Sequence, residues 1–495
     1  MKPWLWERAA RTPDALALEA RGARISYGEL NARAERRAGA LRARGCAPGD
    51  RVGALFGNDP AFVEWLHAAA RARVVLVPLN ARLTPAEHAR QLDHAGAHLL
   101  VHADEPTVAA AAHAVTALSA SLRAVSSSEL AQGSAAAPPA DLDPAHPAAL
   151  IFTSGTSGDA KGVVLSFGNL LASAIGSILH LGALPADRWL ATLPLFHVGG
   201  LAILVRSTLA GSAVVLHERF DPLEVSRALD SDAISLVSFV PTMLARVLDV
   251  RGEAAPPASL RAILLGGAAA PAPLLERAAK TGWPVLPTYG LSEAASQVAT
   301  LPPGAPLRSD GGGLRPLFGV EVRICDELGA ELPDGTPGEI LVRGATVTPG
   351  YWRNPEASAR ALADGWLHTG DLGVRDSLGG LAVVGRADDM LVTGGENVHP
   401  AEVEAALAEH PDVIEVAVAG LPDPDYGQRV AAWVVLAPGA VAGAADLESF
   451  ARARLASYKL PRSWRFVREL PRNASGKLVR RELAEQARGD HAHSL

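Results

Sequence analysis

The sequence predicts an α/β protein built on a largely parallel sheet, and three features carry that expectation. Strand-length apolar runs, such as VVLVPL at 74–79 and AALIF at 148–152, alternate with amphipathic helical stretches. That is the order in which helices cross over a parallel sheet. Residues 315–384 change character, with short segments such as 320–325 and 338–343 separated by Pro, Gly and Asp turns; they read as a small β-rich subdomain. The C-terminal stretch reads as β-α-β-β-α, enough for a small independent domain. At 495 residues the chain exceeds one ordinary core, so roughly two to four domains or subdomains are expected.

Composition narrows the class. With 48% hydrophobic and 20% charged residues the chain is globular. A net charge of −7 and a pI near 6.1 argue against nucleic acid as a partner, while leaving room for a local basic channel toward an anionic substrate. Two cysteines, Cys46 and Cys325, cannot build a disulfide framework and read as small buried hydrophobes in a reducing compartment. Glu7, Arg8, Arg11 and Asp14 stand where a signal peptide needs an apolar core. No apolar run reaches the length of a membrane span, so a soluble, cytoplasmic protein is expected.

Taken in order, residues 27–31 open an Ala/Arg-rich helix, 50–56 form a strand after a Pro-Gly-Asp turn, and a helix with Trp65 and Leu66 precedes the strand at 74–79. The Ala/Ser/Pro-rich stretch 103–145 reads as a peripheral helix and a connecting loop. The buried strand at 148–152 then breaks into Thr153, Ser154, Gly155, Thr156, Ser157, Gly158, Lys161 and Gly162. Small residues let backbone N–H groups approach oxyanions, hydroxyls add donors and the lysine adds charge, which suits a polyphosphate. The common G-x-x-x-x-G-K-[ST] loop is absent, because Ala160 stands where its second glycine belongs. A plain surface loop would share this composition.

Farther on, a strand at 189–194 leads to His197 at a strand-to-helix corner beside Gly199 and Gly200; strand ends of this kind wall ligand pockets in α/β sheets. The following helix carries Arg206 in an apolar segment, either snorkelling to solvent or clamping a carboxylate. After strand-like pieces at 213–216 and 235–240, a strand ends in Gly266, Gly267 and Ala268, where backbone can lie against a ligand ring. Tyr289, Gly290, Ser292 and Glu293 follow another short strand: a ring to stack, a hydroxyl for phosphate, a carboxylate for Mg²⁺. Asp371 follows a Thr-Gly turn and could accept ribose hydroxyls. Then come Arg386, a strand, a Gly394-Gly395 turn and a helix from Pro400 with Glu402 in its first turn. A basic loop with Lys477 lies near the end.

The segments TSGTSGDAKGV, PLFHVGGL, YGLSE, HTGD, GRADDMLVTGGENVHPAEVE and NASGK occur in that order across the chain. Together they resemble the acyl-adenylate-forming superfamily of acyl-CoA synthetases, peptide-synthetase adenylation domains and luciferases. The resemblance implies a large N-terminal adenylating domain of α/β subdomains plus a small β-barrel-like subdomain (1–386), followed by a small mobile α+β domain (387–495). It implies ATP, Mg²⁺ and coenzyme A as cofactors. Thr153 to Gly158 and Lys161 would hold the β- and γ-phosphates; Gly266, Gly267, Ala268 and Tyr289 would enclose adenine, and Gly290 would also belong to the nucleotide site. Ser292 would contact the α-phosphate, Glu293 would hold Mg²⁺, Asp371 would bind the ribose and Arg386 would support ribose and phosphate. Lys477, Glu293 and His197 would be catalytic, Asp388 the hinge, and Gly394 and Gly395 part of the CoA tunnel. Ser157 and Ser292 replace a frequent threonine and keep the hydroxyl, whereas Ala160 replaces a frequent proline.

Within the family, LPLFHVGGL, YGLSEAASQVATL and GGENVHPAEVE look like the branch that ligates o-succinylbenzoate to CoA in menaquinone biosynthesis. That substrate bears a second carboxylate, so a buried cation is expected: Arg206, nine residues after His197, helped by Ser296 and Gln297. An apolar acid could not compensate such a cation. The alternatives are a fatty-acyl or aryl-CoA synthetase, a stand-alone ligase loading a carrier protein, a non-catalytic nucleotide-binding scaffold and a luciferase-like oxygenase. Partners would be a small carboxylic acid, ATP and CoA, with a homo-oligomer in keeping with the family.

Overall fold

In the computed structural model, the described residues are 1–119, 121–131, 141–153, 161–387, 389–393, 396–423, 426–472 and 478–492. A six-stranded sheet runs in the order Arg123–Ser126, Leu99–His102, Arg51–Leu55, Val75–Leu79, Pro147–Thr153 and Lys161–Ser166. Its first five strands are parallel and the last pair is antiparallel. Val75–Leu79 and Leu99–His102 are buried throughout, which is why they read as unbroken apolar runs rather than alternating ones.

Two features depart from the sequence reading. The stretch 103–145 contains the expected helix, Pro106–Leu118, but also a strand, Arg123–Ser126, that closes one edge of the sheet. Only Val125 of that strand is buried, so it offers no periodic signal; its place is set by parallel pairing with Leu99–His102. The other departure is at 153–161. Lys161 pairs with Thr153 and Val163 with Ile151, so Lys161 and Gly162 belong to a strand that pairs antiparallel with Pro147–Thr153 rather than to the loop.

A second sheet of nine strands is ordered Arg315–Pro316, Ser296–Thr300, Val285–Leu291, Ala262–Leu265, Leu236–Phe239, Arg188–Ala191, Ala213–Leu216, Leu16–Ala20 and Ala23–Ser26. The six from Val285–Leu291 to Leu16–Ala20 are mutually parallel. Helices Phe167–Leu181 and Val198–Ala210 pack together beside it, burying Leu170, Ala174, Leu201 and Leu204. An antiparallel sheet of Val320–Cys325, Gly338–Gly344, Trp366–Arg375, Leu362–Ala363 and Leu381–Arg386 forms the β-rich subdomain. A last sheet, with Leu391–Thr393, Glu396–Val398, Val413–Asp423, Gly427–Leu436 and Ser463–Phe466, has its own core of Val398, Val403, Leu407, Val418 and Val430. Cys46 and Cys325 are buried and free. Among the described residues no helix is long and apolar enough to cross a membrane.

Candidate active site

The site gathers at the C-terminal ends of the parallel strands, where open α/β sheets place their ligands. Strand Ala262–Leu265 runs out into Gly266, half-buried, and Gly267 and Ala268, both exposed. A Cβ on Gly266 would lie 2.7 Å from Thr288 Cγ2 and 2.8 Å from its carbonyl oxygen, and Gly267 has φ +83°. Only glycine fits both demands, leaving a flat backbone ledge.

The hairpin of Val285–Leu291 and Ser296–Thr300 is the hub. A Cβ on Gly290 would stand 1.7 Å from the Ser296 carbonyl oxygen, so the two strands approach where no side chain could intervene. The turn between them is a 3₁₀ segment, Ser292–Ala294, followed by Ala295 at φ +53° and Ser296 at φ +100°. Neither residue is glycine, so this turn holds strain of the kind that clusters at functional sites. Ser173 Oγ donates to the Ala295 carbonyl at 2.6 Å and helps pin it.

On one side of the hub, the Tyr289 hydroxyl donates to Asp371 Oδ2 at 2.6 Å, and Arg386 Nη1 donates to Asp371 Oδ1 at 2.9 Å. Burial, then the neighbouring Asp371 charge, push the Tyr289 phenol well above its ordinary range, so it remains a donor. The sequence reading put Asp371 after a turn; it lies instead within the strand Trp366–Arg375, at a register shift against Gly338–Gly344. Gly370 takes φ +67°, its N–H donates to Glu339 at 3.0 Å, and the Asp371 N–H donates to Thr369 Oγ1 at 3.0 Å. The bulge aims the carboxylate at Tyr289.

On the other side, Tyr351 donates to Glu293 Oε1 at 3.0 Å, and Lys161 Nζ lies 5.3 Å from the centre of the Tyr351 ring. Burial first, then the Glu293 charge, raise the Tyr351 phenol above its ordinary range. Tyr351 belongs to a strap, residues 345–352, that runs along the edge strand Lys161–Ser166: Trp352 N–H donates to Gly162 O at 2.7 Å, Val164 N–H to Gly350 O at 3.1 Å. Thr348 ties in both neighbours, its N–H donating to Glu293 O at 2.7 Å and its hydroxyl to Val164 O at 2.6 Å. The sequence reading missed Tyr351; its only local signal was an aromatic after glycine.

Below the hub lies Arg206, 3% exposed. Nε donates to Ala202 O at 3.0 Å, and Nη1 donates to Ser177 Oγ at 3.2 Å and Gln297 Oε1 at 2.9 Å. The guanidinium lies over the Trp189 ring at 4.8 Å. Among the described residues no carboxylate pairs with it, and desolvation draws its pKa down to about 9. Gln297 is fixed in turn by donating to Thr288 and Thr300 hydroxyls at 3.2 and 2.9 Å. His197 begins the helix Val198–Ala210, with the Phe196 ring 4.2 Å away. Gly200, one turn in, is forced: a Cβ there would meet Pro194 O at 2.3 Å.

The AMP-binding enzyme family matches residues 5–352, and the AMP-binding enzyme C-terminal domain matches residues 402–477. The chain belongs to the AMP-binding enzyme family. A 2-succinylbenzoate–CoA ligase of Geobacillus kaustophilus is 42% identical over 497 aligned residues, covering 98% of this chain and 97% of the relative. The o-succinylbenzoate CoA synthetase MenE of Bacillus subtilis, solved with its acyl-adenylate intermediate OSB-AMP, matches with a TM-score of 0.89 at 36% identity, over 98% of each chain. Its complex with ATP and magnesium ion matches with a TM-score of 0.87, also at 36% identity, over 98% of this chain and 99% of that one.

In this AMP-binding enzyme, Tyr289, Gly290, Ser292 and Glu293 lie in the hub, Gly266, Gly267 and Ala268 follow a strand paired to it, and Asp371 and Arg386 are tied to it through Tyr289; Thr153 and Lys161 pair in the neighbouring six-stranded sheet, with Lys161 against Tyr351. Arg206, Ser296 and Gln297 share the adjoining buried network and its strand. Ser154, Gly155, Thr156, Ser157, Gly158, Asp388, Gly394, Gly395 and Lys477 lie outside the described residues.

Proposed function

We propose that this protein is an ATP-dependent ligase that joins o-succinylbenzoate to coenzyme A through an acyl-adenylate, releasing AMP and pyrophosphate. The observation that carries the choice of acid is Arg206, a buried cation surrounded by Trp189, Ser177 and Gln297 and, among the described residues, paired with no carboxylate. Burying such a charge is costly unless an anion compensates it, and a dicarboxylic acid brings that anion with the substrate. The names of the relatives agree.

The remaining roles proposed here are supported by where the described side chains stand and, for the others, by the family resemblance. The Gly266–Gly267 ledge takes the adenine face, with Tyr289 beside it. Asp371, oriented by Tyr289 and Arg386, offers carboxylate oxygens as acceptors for a ribose diol. Lys161 and the residues from Thr153 to Gly158 hold the distal phosphates. Glu293 offers a hard carboxylate oxygen, and among the described residues no group of three or more His, Cys, Asp or Glu converges on a cage. A single carboxylate plus substrate phosphates suits Mg²⁺, which would neutralise phosphate charge when bound. His197 walls the acid pocket, and Ser292 meets the α-phosphate.

Attack of the carboxylate on the α-phosphorus forms acyl-AMP and expels pyrophosphate. Lys477 would then steady charge on the equatorial oxygens. We place the domain boundary between residues 386 and 387, supported by the change of sheet between Leu381–Arg386 and Leu391–Thr393. Rotation there about Asp388 would exchange Lys477 for the Gly394-Gly395 loop, admitting the thiol that displaces AMP. A cytoplasmic setting fits substrates of this kind.

The test is ATP- and CoA-dependent release of AMP and pyrophosphate with o-succinylbenzoate, benzoate and a medium-chain fatty acid side by side. The expected result is a kcat/KM for o-succinylbenzoate at least about 100-fold above either monocarboxylate, because a pocket built around a buried polar group rejects ligands that leave it unpaired. Equal or better use of a monocarboxylate would overturn the choice of acid.

A further inference from the structure

Tyr351 stands where three separate parts of the molecule meet. Its hydroxyl reaches Glu293, in the turn after Val285–Leu291, at 3.0 Å. Its ring lies 5.3 Å from Lys161 Nζ, at the start of the strand Lys161–Ser166. Its own backbone bridges Val163, and the strap that carries it continues from the β-rich subdomain strand Gly338–Gly344. Glu293 has no other side-chain partner among the described residues, and Lys161 has no carboxylate partner among them. One tyrosine therefore touches both charged groups that face the phosphates.

We propose that Tyr351 is a positioning residue for ATP and its metal: the hydroxyl fixes one Glu293 oxygen so that the other faces the metal, and the ring seats the Lys161 ammonium toward the distal phosphates. This rests on the roles proposed above for Glu293 and Lys161. A hydrogen bond to a metal-binding carboxylate restricts its rotamers and orients the free oxygen, and the face of an aromatic ring attracts an ammonium without neutralising it. A carboxylate in place of that ring would instead cancel the charge that the phosphates require.

Two substitutions separate the two halves. Tyr351→Phe removes only the hydroxyl and leaves the ring beneath Lys161; Tyr351→Leu removes both. The probe is Mn²⁺ with ATP, its uptake read by electron paramagnetic resonance, alongside metal-free ATP binding by calorimetry. Tyr351→Phe is expected to weaken Mn²⁺ uptake about 10-fold, the scale seen when an outer-shell partner of a metal ligand is lost. Metal-free ATP binding should stay within about twofold, whereas Tyr351→Leu should weaken it as well.

A double-mutant cycle adds the decisive readout. In a Glu293→Gln background, Tyr351→Phe should change Mn²⁺ uptake no further. Unchanged Mn²⁺ uptake in Tyr351→Phe, or an equal effect with and without Glu293, would overturn the positioning role. Failure of the unaltered protein to take up Mn²⁺ with ATP would instead overturn the role given to Glu293, and this inference with it.

Discussion

Two arginines lie inside this chain on opposite terms. Arg206, in the helix Val198–Ala210, donates only to neutral acceptors: Ala202 O, Ser177 and Gln297. Arg480, at the start of the last helix, donates to both oxygens of Glu404 at 2.9 and 2.7 Å, to Asp389 at 3.0 Å and to Val418 O at 3.2 Å. The second cation is compensated by the fold itself. The first is paired with no carboxylate among the described residues, and in the function proposed above the substrate brings its counter-charge. A buried ion pair marks architecture, whereas a buried unpaired cation marks a binding site.

The widest separation between them should appear in stability. Arg480→Met leaves the Glu404 carboxylate, 17% exposed at its side chain, without its cation, and removing one partner of such a pair costs about 3–5 kcal/mol. Arg206→Met should leave stability within about 1 kcal/mol, because three lost hydrogen bonds are offset by no longer burying a charge. Urea unfolding of the full chain measures both. Similar losses in the two variants would break the comparison and make Arg206 a structural residue.

A gentler substitution turns one case into the other. Gln297→Glu places a carboxylate where Oε1 now accepts from Arg206 at 2.9 Å, giving Arg206 the internal partner that Arg480 already has. Thr288 and Thr300 can rotate their hydroxyls to donate to it. Stability should hold or rise by about 1 kcal/mol, while kcat/KM for o-succinylbenzoate should fall about 10- to 100-fold and that for benzoate should change little. Steady-state kinetics on both acids checks this. A parallel loss on the two acids would mean that the substitution disturbs the hub rather than the acid pocket.

The comparison also marks what could be read from sequence. Arg206 drew attention because one charge stood in an apolar helix, a signal of composition. Its burial and the identities of Ser177 and Trp189 depend on packing between elements far apart in the chain, which no local pattern carries. Likewise Gly266, Gly267 and Gly290 announce close backbone approach, but only the fold shows that Thr288 and Ser296 are what approach them. Strand Arg123–Ser126 was hidden because an edge strand with one buried residue has no periodicity. Tyr351 was hidden for a different reason: one aromatic after a glycine has many structural uses, and its role depends on Glu293 and Lys161, which lie 58 and 190 residues away in sequence, by 351 − 293 and 351 − 161.

The smallest effect is the one with the most specific sign. Burial draws the Arg206 pKa down to about 9, whereas an unfolded chain keeps arginine charged beyond about pH 12. Between those values the unfolded state binds the additional proton, so this group makes stability rise with pH across that window. Binding of the second carboxylate needs the charged form, so affinity for o-succinylbenzoate falls across the same window. One residue therefore drives stability and binding in opposite directions. From about pH 8 to pH 10 the KM for o-succinylbenzoate should climb several-fold while that for benzoate stays nearly flat, and the difference should vanish in Arg206→Met. Were both KM values to climb together, the titrating group would belong to the nucleotide site that the two acids share, and Arg206 would remain charged throughout.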